Sequence, residues 1–479
     1  MPEDYKIREQ RPFTYADGCG QSKNMECRFR ERKMEIQDRS FSQGLQCQEI
    51  NSISALLSLE DSVFIVHSPQ GCAGCSVTSV DRYRVGQAHR GKKVYRSPRI
   101  IISNLDQNDI IMGGEKKLVE SIRAAEERYH PKIIFIFASC ASGIIADDID
   151  GIAAQEKDNT KAIIVPIHCE GFKSKICASG FDSAFRAISK YLLKKEKLPK
   201  EEGLINLFSP TTVSYKDQLE IERMLSSLGL RANYVPFFSS LEKMQKMTAA
   251  QASTSICKVF ADEFMQELKD KYDIPFSHTV MPIGLRNTDV WFLGIAKAAG
   301  KEKEALKIIE LEHKRIQPEV DKIKARLQGK RVFVCGGIGR SFAAAILIED
   351  FGMKLVGLET PVYDQDAQDD IEYLNKIHGD YVIDIANMQP FEQVNIVNRL
   401  KPDLFIGVPH WSARFGIPTT HVLEGKRPTM GYDGILYLGN KIADQMENPG
   451  FNKKLAKYAK LPYKESWYKE DPFKYIKKI

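Results

Sequence analysis

Residues 132–150 read KIIFIFASCASGIIADDID. After one lysine comes an unbroken apolar run, then a serine, a cysteine, a glycine-bearing turn and paired aspartates. A run this short and this apolar suits a strand covered on both faces, as strands of parallel α/β sheets are. It leaves Cys140 just beyond the strand, at its carboxyl end. Functional groups gather at that end in open α/β sheets, where the loops diverge.

The same pattern recurs outward from this stretch. Residues 162–167 (AIIVPI), 203–208 (GLINLF), 331–335 (RVFVC), 354–358, 381–385 and 403–408 read as further buried strands. Amphipathic stretches at 115–129, 216–228, 258–272 and 301–327 alternate with them and read as helices. Such alternation predicts βαβ units. The expected fold is α/β, three doubly wound, Rossmann-like parallel-sheet domains. Composition shifts at the lysine-rich 190–203 and at the charged helix ending near Gly329 set the expected boundaries. They are residues 1–200, 201–329 and 330–450, with a basic tail at 451–479.

A chain of 479 residues is long enough for two to four domains. Hydrophobic residues make up 43%, enough for sizeable cores, and no stretch approaches the roughly 20 apolar residues of a membrane span. The first residues lack the apolar core of a secretory signal, so a cytoplasmic location is expected. The net charge of +6 is concentrated in residues 451–479, where nine lysines face three acids. The rest of the chain is near neutral, which argues against a nucleic-acid grip. The tail's Trp467, Tyr468, Phe473 and Tyr475 suit a packed or subunit-contacting segment.

Ten cysteines in a reducing compartment read as buried small hydrophobes, catalytic thiols or metal ligands rather than disulfides. Position separates them. Cys72 follows the strand-like VFIVH in HSPQGCAGC, Cys140 follows KIIFIFAS, and Cys47 precedes the helix leading into the Cys72 strand. Thiolates at glycine-bearing loop tips can reach a bulky inorganic cluster, because glycine lets backbone approach closely. Cys72 and Cys75 form a CxxC, but a structural zinc site needs a second pair, and none is present. Cys75 is read as a small buried residue. The roles of Cys19, Cys27, Cys169 and Cys335 stay open at this stage.

The segments HSPQGCAGC, SNLDQNDIIMGGEKKL and SCASGIIADDI together resemble component 1 of nitrogenase and its relatives. In that family three cysteines in corresponding turns ligate a P-cluster (8Fe-7S) shared between subunits, and Cys47, Cys72 and Cys140 match them. Asp147-Asp148 and the GGEKK element match as well. Ser68 replaces the glycine of the second-cysteine turn, Ala141 a proline, and Ala146 the glycine before the aspartates. The resemblance covers nearly the whole chain. It implies an α-type subunit, a homologous β-type partner in an α2β2 complex, and an ATP-dependent iron protein as electron donor. The chain has no P-loop of its own.

The resemblance also implies a second, active-site cofactor. Cys257 precedes KVFADEFMQELKDKYDIP, as the cofactor cysteine precedes its helix in nitrogenase α-subunits. His421 stands ten residues before Gly431-Tyr432-Asp433-Gly434, as the cofactor histidine stands before its own such motif. Thiolate and imidazole suit a terminal iron and a second borderline metal. Arg340, in the GGIGR turn at 336–340, matches a turn that approaches the cofactor. Scaffold relatives that assemble the cofactor keep the cysteine but not the histidine.

Aligned on Glu170-Gly171-Phe172, Cys177 takes the place of a glutamine and Phe181 that of a histidine, both tied to dinitrogen reduction and homocitrate. An imidazole able to donate has become an apolar ring. A less polar pocket suits methyl and thioether groups. The resemblance is therefore to methylthio-alkane reductases, nitrogenase-like enzymes that cleave C–S bonds in small organic sulfur substrates. The implied cofactor is all-iron and carbide-centred (8Fe-9S-C). The alternatives are a cofactor-assembly scaffold or an alternative nitrogenase α subunit.

Overall fold

The computed structural model describes the chain apart from residues 1–7, 12–13, 15–17, 32, 34–36, 40–46, 77, 92–96, 195, 211–212, 279, 364, 387–388, 408–414, 423–424, 461 and 479. Three parallel sheets form, one around each family of apolar runs. In the first the strands run in the order Arg99–Ile102, Ser62–His67, Ile133–Ala138, Ile163–His168. Every residue of Ser62–His67 and Ile133–Ala138 is buried, which is why VFIV in the first and all of the second are apolar without alternation. Each large apolar side chain hidden there contributes about 1.5–3 kcal/mol.

The second sheet runs Phe276–Ser277, Ala252–Ser255, Leu204–Phe208, Arg231–Val235. The third runs Gly18–Gln21, Val382–Ile385, Lys354–Thr360, Arg331–Cys335, Leu404–Ile406, Thr419–Thr420. Gly18–Gln21 is antiparallel to its neighbour, and the other pairs are parallel. A segment near the chain's start thus completes the sheet built from its last third. The short strand Gln37–Arg39 likewise pairs with Ile476–Lys478, near the other end.

The sheets share cores. One apolar cluster joins the first and second sheets, through Phe64, Phe135 and Phe137 on one side and Phe208, Phe260 and Phe264 on the other. Another joins the second and third, through Ile205, Leu207, Val332, Val334 and Leu358. The tail is packed as expected: Trp467 lies against Phe391 and donates from Nε1 to its carbonyl at 2.9 Å.

The helix expected from residue 258 starts later, at Asp262–Tyr272. Residues 257–261 form a turn that ends on Ala261 in the left-handed region (φ 67). Arg331–Cys335, Leu204–Phe208 and the helix Glu115–Tyr129 fall where the apolar patterns place them.

Candidate metal-cluster sites

Each sheet changes winding direction once. In the first, the chain leaves Ser62–His67 for a neighbour on one side and comes back through Ile133–Ala138 on the other. Crossovers on opposite faces leave a crevice beyond the carboxyl ends of those two strands. Cys72 stands in the short helix Gln70–Ser76 after the first, and Cys140 opens the helix Cys140–Ile144 after the second. Cys47 comes to the same place as N-cap of the helix Gln48–Leu56. All three are partly buried and free of disulfides.

Gly171 closes the floor of this crevice. A Cβ built there would stand 3.0 Å from the Cys47 Cβ and 3.4 Å from the sulfurs of both Cys47 and Cys140. The two thiols converge over a position where only glycine leaves room. A reciprocal capping box between Ser139 and Ser142 fixes the turn that aims Cys140. Beneath it, His67 is fully buried and its Nε2 lies 2.8 Å from Asp147 Oδ2, while Gly114 N donates to Asp147 Oδ1 at 2.9 Å. A Cβ on Gly114 would meet Leu105 at 2.5 Å and Asp147 at 2.6 Å. The GGEKK element and the paired aspartates, distant in sequence, are therefore one packed unit behind the thiols.

Two buried carboxylates flank the thiols. Burial pushes Glu49 up to about 7, opposed by a hydrogen bond with Cys72 and reinforced by the charge of Glu170. Burial also works to raise Glu170, but His168 and Lys173 outweigh it and hold that carboxyl low. Lys173 Nζ donates to Glu170 Oε1 at 2.7 Å. The hydrogen bond to Asp150, with Glu170 beside it, pushes His168 up to about 9. Burial pushes the Cys47 thiol up, against the backbone N–H of Ile50. Among the described residues no three His, Cys, Asp or Glu side chains close on one point as a single metal ion requires. The three cysteines instead stand around a crevice.

The second site forms at the winding switches of the other two sheets. Leu204–Phe208 and Ala252–Ser255 flank the switch of the second sheet, and Cys257 follows Ala252–Ser255. Arg331–Cys335 and Leu404–Ile406 flank that of the third, and the turn 336–340 follows Arg331–Cys335. The two ends meet. A Cβ on Gly339 would stand 2.9 Å from the Cys257 sulfur. Burial pushes that thiol up, while the N–H groups of Val259 and Gly339 and the charge of Arg340 pull against it. Burial prevails, so the isolated chain keeps Cys257 as a thiol, with N–H donors and a guanidinium turned toward its sulfur.

Cys257 packs against the apolar clusters of all three sheets, and with Ile176, Ala178, Val259, Ile338 and Phe181 in a small one of its own. Phe181 lies edge-on to Phe260, with ring centres 5.0 Å apart. Cys177 is buried against the helix Gln48–Leu56, its carbonyl accepting from Asn51 Nδ2 at 2.9 Å, and its thiol is pushed up by burial. The structure thus gathers Cys257, Arg340 and Phe181 in one place. Cys177 faces Asn51, Arg8 and Cys47. His421 ends the strand Thr419–Thr420, two strands along from Arg331–Cys335 at the same edge of the sheet, and its carbonyl accepts from Lys441. Residues 408–414 and 423–424 around it lie outside the described residues, as does the side chain of Cys75.

Some neighbours of these sites carry no sequence signal. Arg8 is 2% exposed and donates to Asp182 at 2.8 Å, to Asp262 at 2.7 Å and to the Val259 carbonyl at 3.0 Å, tying the helix that carries Phe181 to the helix Asp262–Tyr272. Glu49 looks like an ordinary helix-start acid. Cys169 is buried with its thiol donating to the Ala138 carbonyl, and Cys335 accepts from Gln393 Nε2 at 3.1 Å; both thiols are pushed well up by burial.

Thiols and glycines thus gather at the switch points of three wound sheets in one α/β protein. The family model of nitrogenase component 1 type oxidoreductases matches residues 47–447, from the first of the crevice cysteines onward. The chain belongs to that family. It is 27% identical over 408 residues to the nitrogenase iron-molybdenum cofactor biosynthesis protein NifE of Methanococcus maripaludis, covering 82% of each chain. It is 24% identical to the nitrogenase molybdenum-iron protein alpha chain of the same organism, covering 82% of this chain and 84% of that one. The structure of nitrogenase Cp1 at pH 6.5 superposes with a TM-score of 0.70 at 20% identity, over 88% of this chain and 91% of that one.

Proposed function

We propose that the chain is the α-type subunit of a nitrogenase-like reductase. Cys47, Cys72 and Cys140 hold one half of a P-cluster, which a homologous β-type subunit completes. Cys257 and His421 hold an active-site iron–sulfur cofactor. The observation that carries this reading is the Cys257 sulfur, seated over Gly339 at the meeting of two winding switches with Arg340 beside it. The glycine at 171 under Cys47 and Cys140 fits the same reading, since a side chain there would fill the space a cluster needs.

When bound, the clusters supply low-potential electrons, passed on from an ATP-dependent iron protein. The chain's own residues do the rest. Cys257 anchors, Arg340 places positive charge beside the anchor, and Ile176, Ala178, Val259 and Phe181 line the pocket with apolar surface that keeps water out.

The substrate class rests on Phe181, an apolar ring in the pocket where the family resemblance implies a histidine donor. A methylthio-alkane fits such a site. Its C–S bond takes an electron pair and two protons, so dimethyl sulfide yields methane and methanethiol, and 2-methylthioethanol yields ethylene, methanethiol and water.

A second reading, a cofactor-assembly scaffold, is favoured by the likeness to NifE proteins. His421 favours the enzyme. The test is ethylene release from 2-methylthioethanol by the purified complex with iron protein and ATP. Release supports the reductase. An iron-loaded complex that is inert but passes its cofactor to an acceptor supports the scaffold. Dinitrogen reduction with 2-methylthioethanol untouched supports an alternative nitrogenase. Absence of both iron and sulfide from the copurified complex ends the cluster reading.

A further inference from the structure

Glu49 lies one turn into the helix that Cys47 caps, and it is 2% exposed. Its carboxylate hydrogen-bonds the Cys72 thiol, yet Oε1 is buried with no hydrogen-bond partner. Among the described residues no lysine, arginine or histidine forms an ion pair with it. Glu170, the other carboxylate of the crevice, is balanced by Lys173 and His168. A buried carboxylate without a counter-charge is costly.

Metal binding makes the cost worse unless Glu49 takes part. A thiol that ligates iron gives up its proton, so Cys72 stops donating to Glu49. The carboxylate would then sit beside a thiolate and across from Glu170, with both oxygens unserved. Iron accepts carboxylate oxygen as well as sulfur.

We propose that Glu49 is an oxygen ligand of the cluster held by Cys47, Cys72 and Cys140, a fourth protein donor supplied by this chain. The proposal rests on the reading of those cysteines as cluster ligands. With Glu49 coordinated, its charge is absorbed by iron and no buried oxygen is left without a partner.

The experiment compares the purified holo-complex with its Glu49→Gln, Glu49→Ala and Cys72→Ser variants by iron and sulfide content, iron-57 Mössbauer spectra and the cluster's midpoint potential. Glutamine keeps the size and can still donate to a Cys72 thiolate, but it removes the anionic oxygen. The expected result is a changed Mössbauer component in both Glu49 variants, with the midpoint potential shifted upward, because an anionic donor lost makes the cluster easier to reduce. Circular dichroism of Glu49→Gln is expected to match the parent. A Glu49→Gln complex with parental iron content, spectrum and potential overturns the proposal and leaves Glu49 as a protonated hydrogen-bond donor. If the parent complex holds no iron, or Cys72→Ser leaves its spectrum unchanged, the cysteine reading fails rather than the Glu49 proposal.

Discussion

At the scale of single residues, the crevice depends on what is missing from Gly171, Gly114 and Gly339. The last two have neighbours within 3.0 Å of where a Cβ would stand, closer than side chains pack. Gly339→Ala is expected to displace the Cys257 sulfur and lower the iron content of the purified complex while the fold survives, measured by metal analysis beside circular dichroism. Ala146 is the reverse case. It stands at φ 59, in the left-handed region that costs a side chain about 1 kcal/mol. Ala146→Gly is expected to raise stability by up to about 1 kcal/mol, read as a higher urea midpoint. His67 sets a pH limit. Burial holds it below the ordinary histidine value of 6.5, against the pull of Asp147. The unfolded chain therefore takes up its proton at higher pH than the folded one, and stability falls as pH drops below about 6.5. His67→Gln is expected to cost about 1–3 kcal/mol at neutral pH, from the lost bonds to Asp147 and Ser103. It should also flatten that acid limb, seen by denaturant titration between pH 7 and 5.

At the scale of elements, the site depends on two helices packed backbone to backbone. The helix Gln48–Leu56, which carries Cys47 and Glu49, lies against Ser179–Tyr191, where Ser52 Oγ donates to the Gly180 carbonyl at 2.7 Å. A Cβ on Gly180 would overlap the Gln48 carbonyl. The helix Asp262–Tyr272 is locked to Ser179–Tyr191 by Arg8, whose guanidinium bridges Asp182 and Asp262 with Arg11 beside it. Without Arg8 the two carboxylates share Arg11 alone, at a cost below the about 3–5 kcal/mol of a fully unpaired buried charge. Arg8→Met is expected to lower the thermal midpoint accordingly. In the double variant with Asp182→Asn, less is expected to be lost than the two single effects summed, because only one carboxylate is left for Arg11 to balance. The basic tail is a further locked element: Asn395 donates to the Trp467 carbonyl at 2.6 Å, and Trp467 is 9% exposed. Trp467→Ala is expected to cost about 3–5 kcal/mol, read by urea denaturation.

At the scale of the whole molecule, three sheets wound about their switch points set Cys72 and Cys140 beyond the same ends of neighbouring strands, and bring Cys257 to Arg340. Continuous apolar runs such as IIFIFA and VFIV mark strands buried on both faces, so the α/β class and the carboxyl-end placement of Cys72 and Cys140 were legible in residue order alone. So were the family motifs, because each is local in the chain. The antiparallel return of Gly18–Gln21 to the last sheet was not legible, since a four-residue strand with two glycines carries no periodic signal. Nor was the late start of the helix after Cys257, where a turn through left-handed Ala261 holds the thiol between sheets. Arg8 and Glu49 escaped for one reason: their spacing matches a solvated helix end, and only packing across distant segments buries them. Local hydrophobic pattern is enough to say which stretches become strands and which thiols stand at strand ends. Which of those ends meet follows from folding, because burial, hydrogen bonding and charge balance depend on neighbours that the chain order does not bring together.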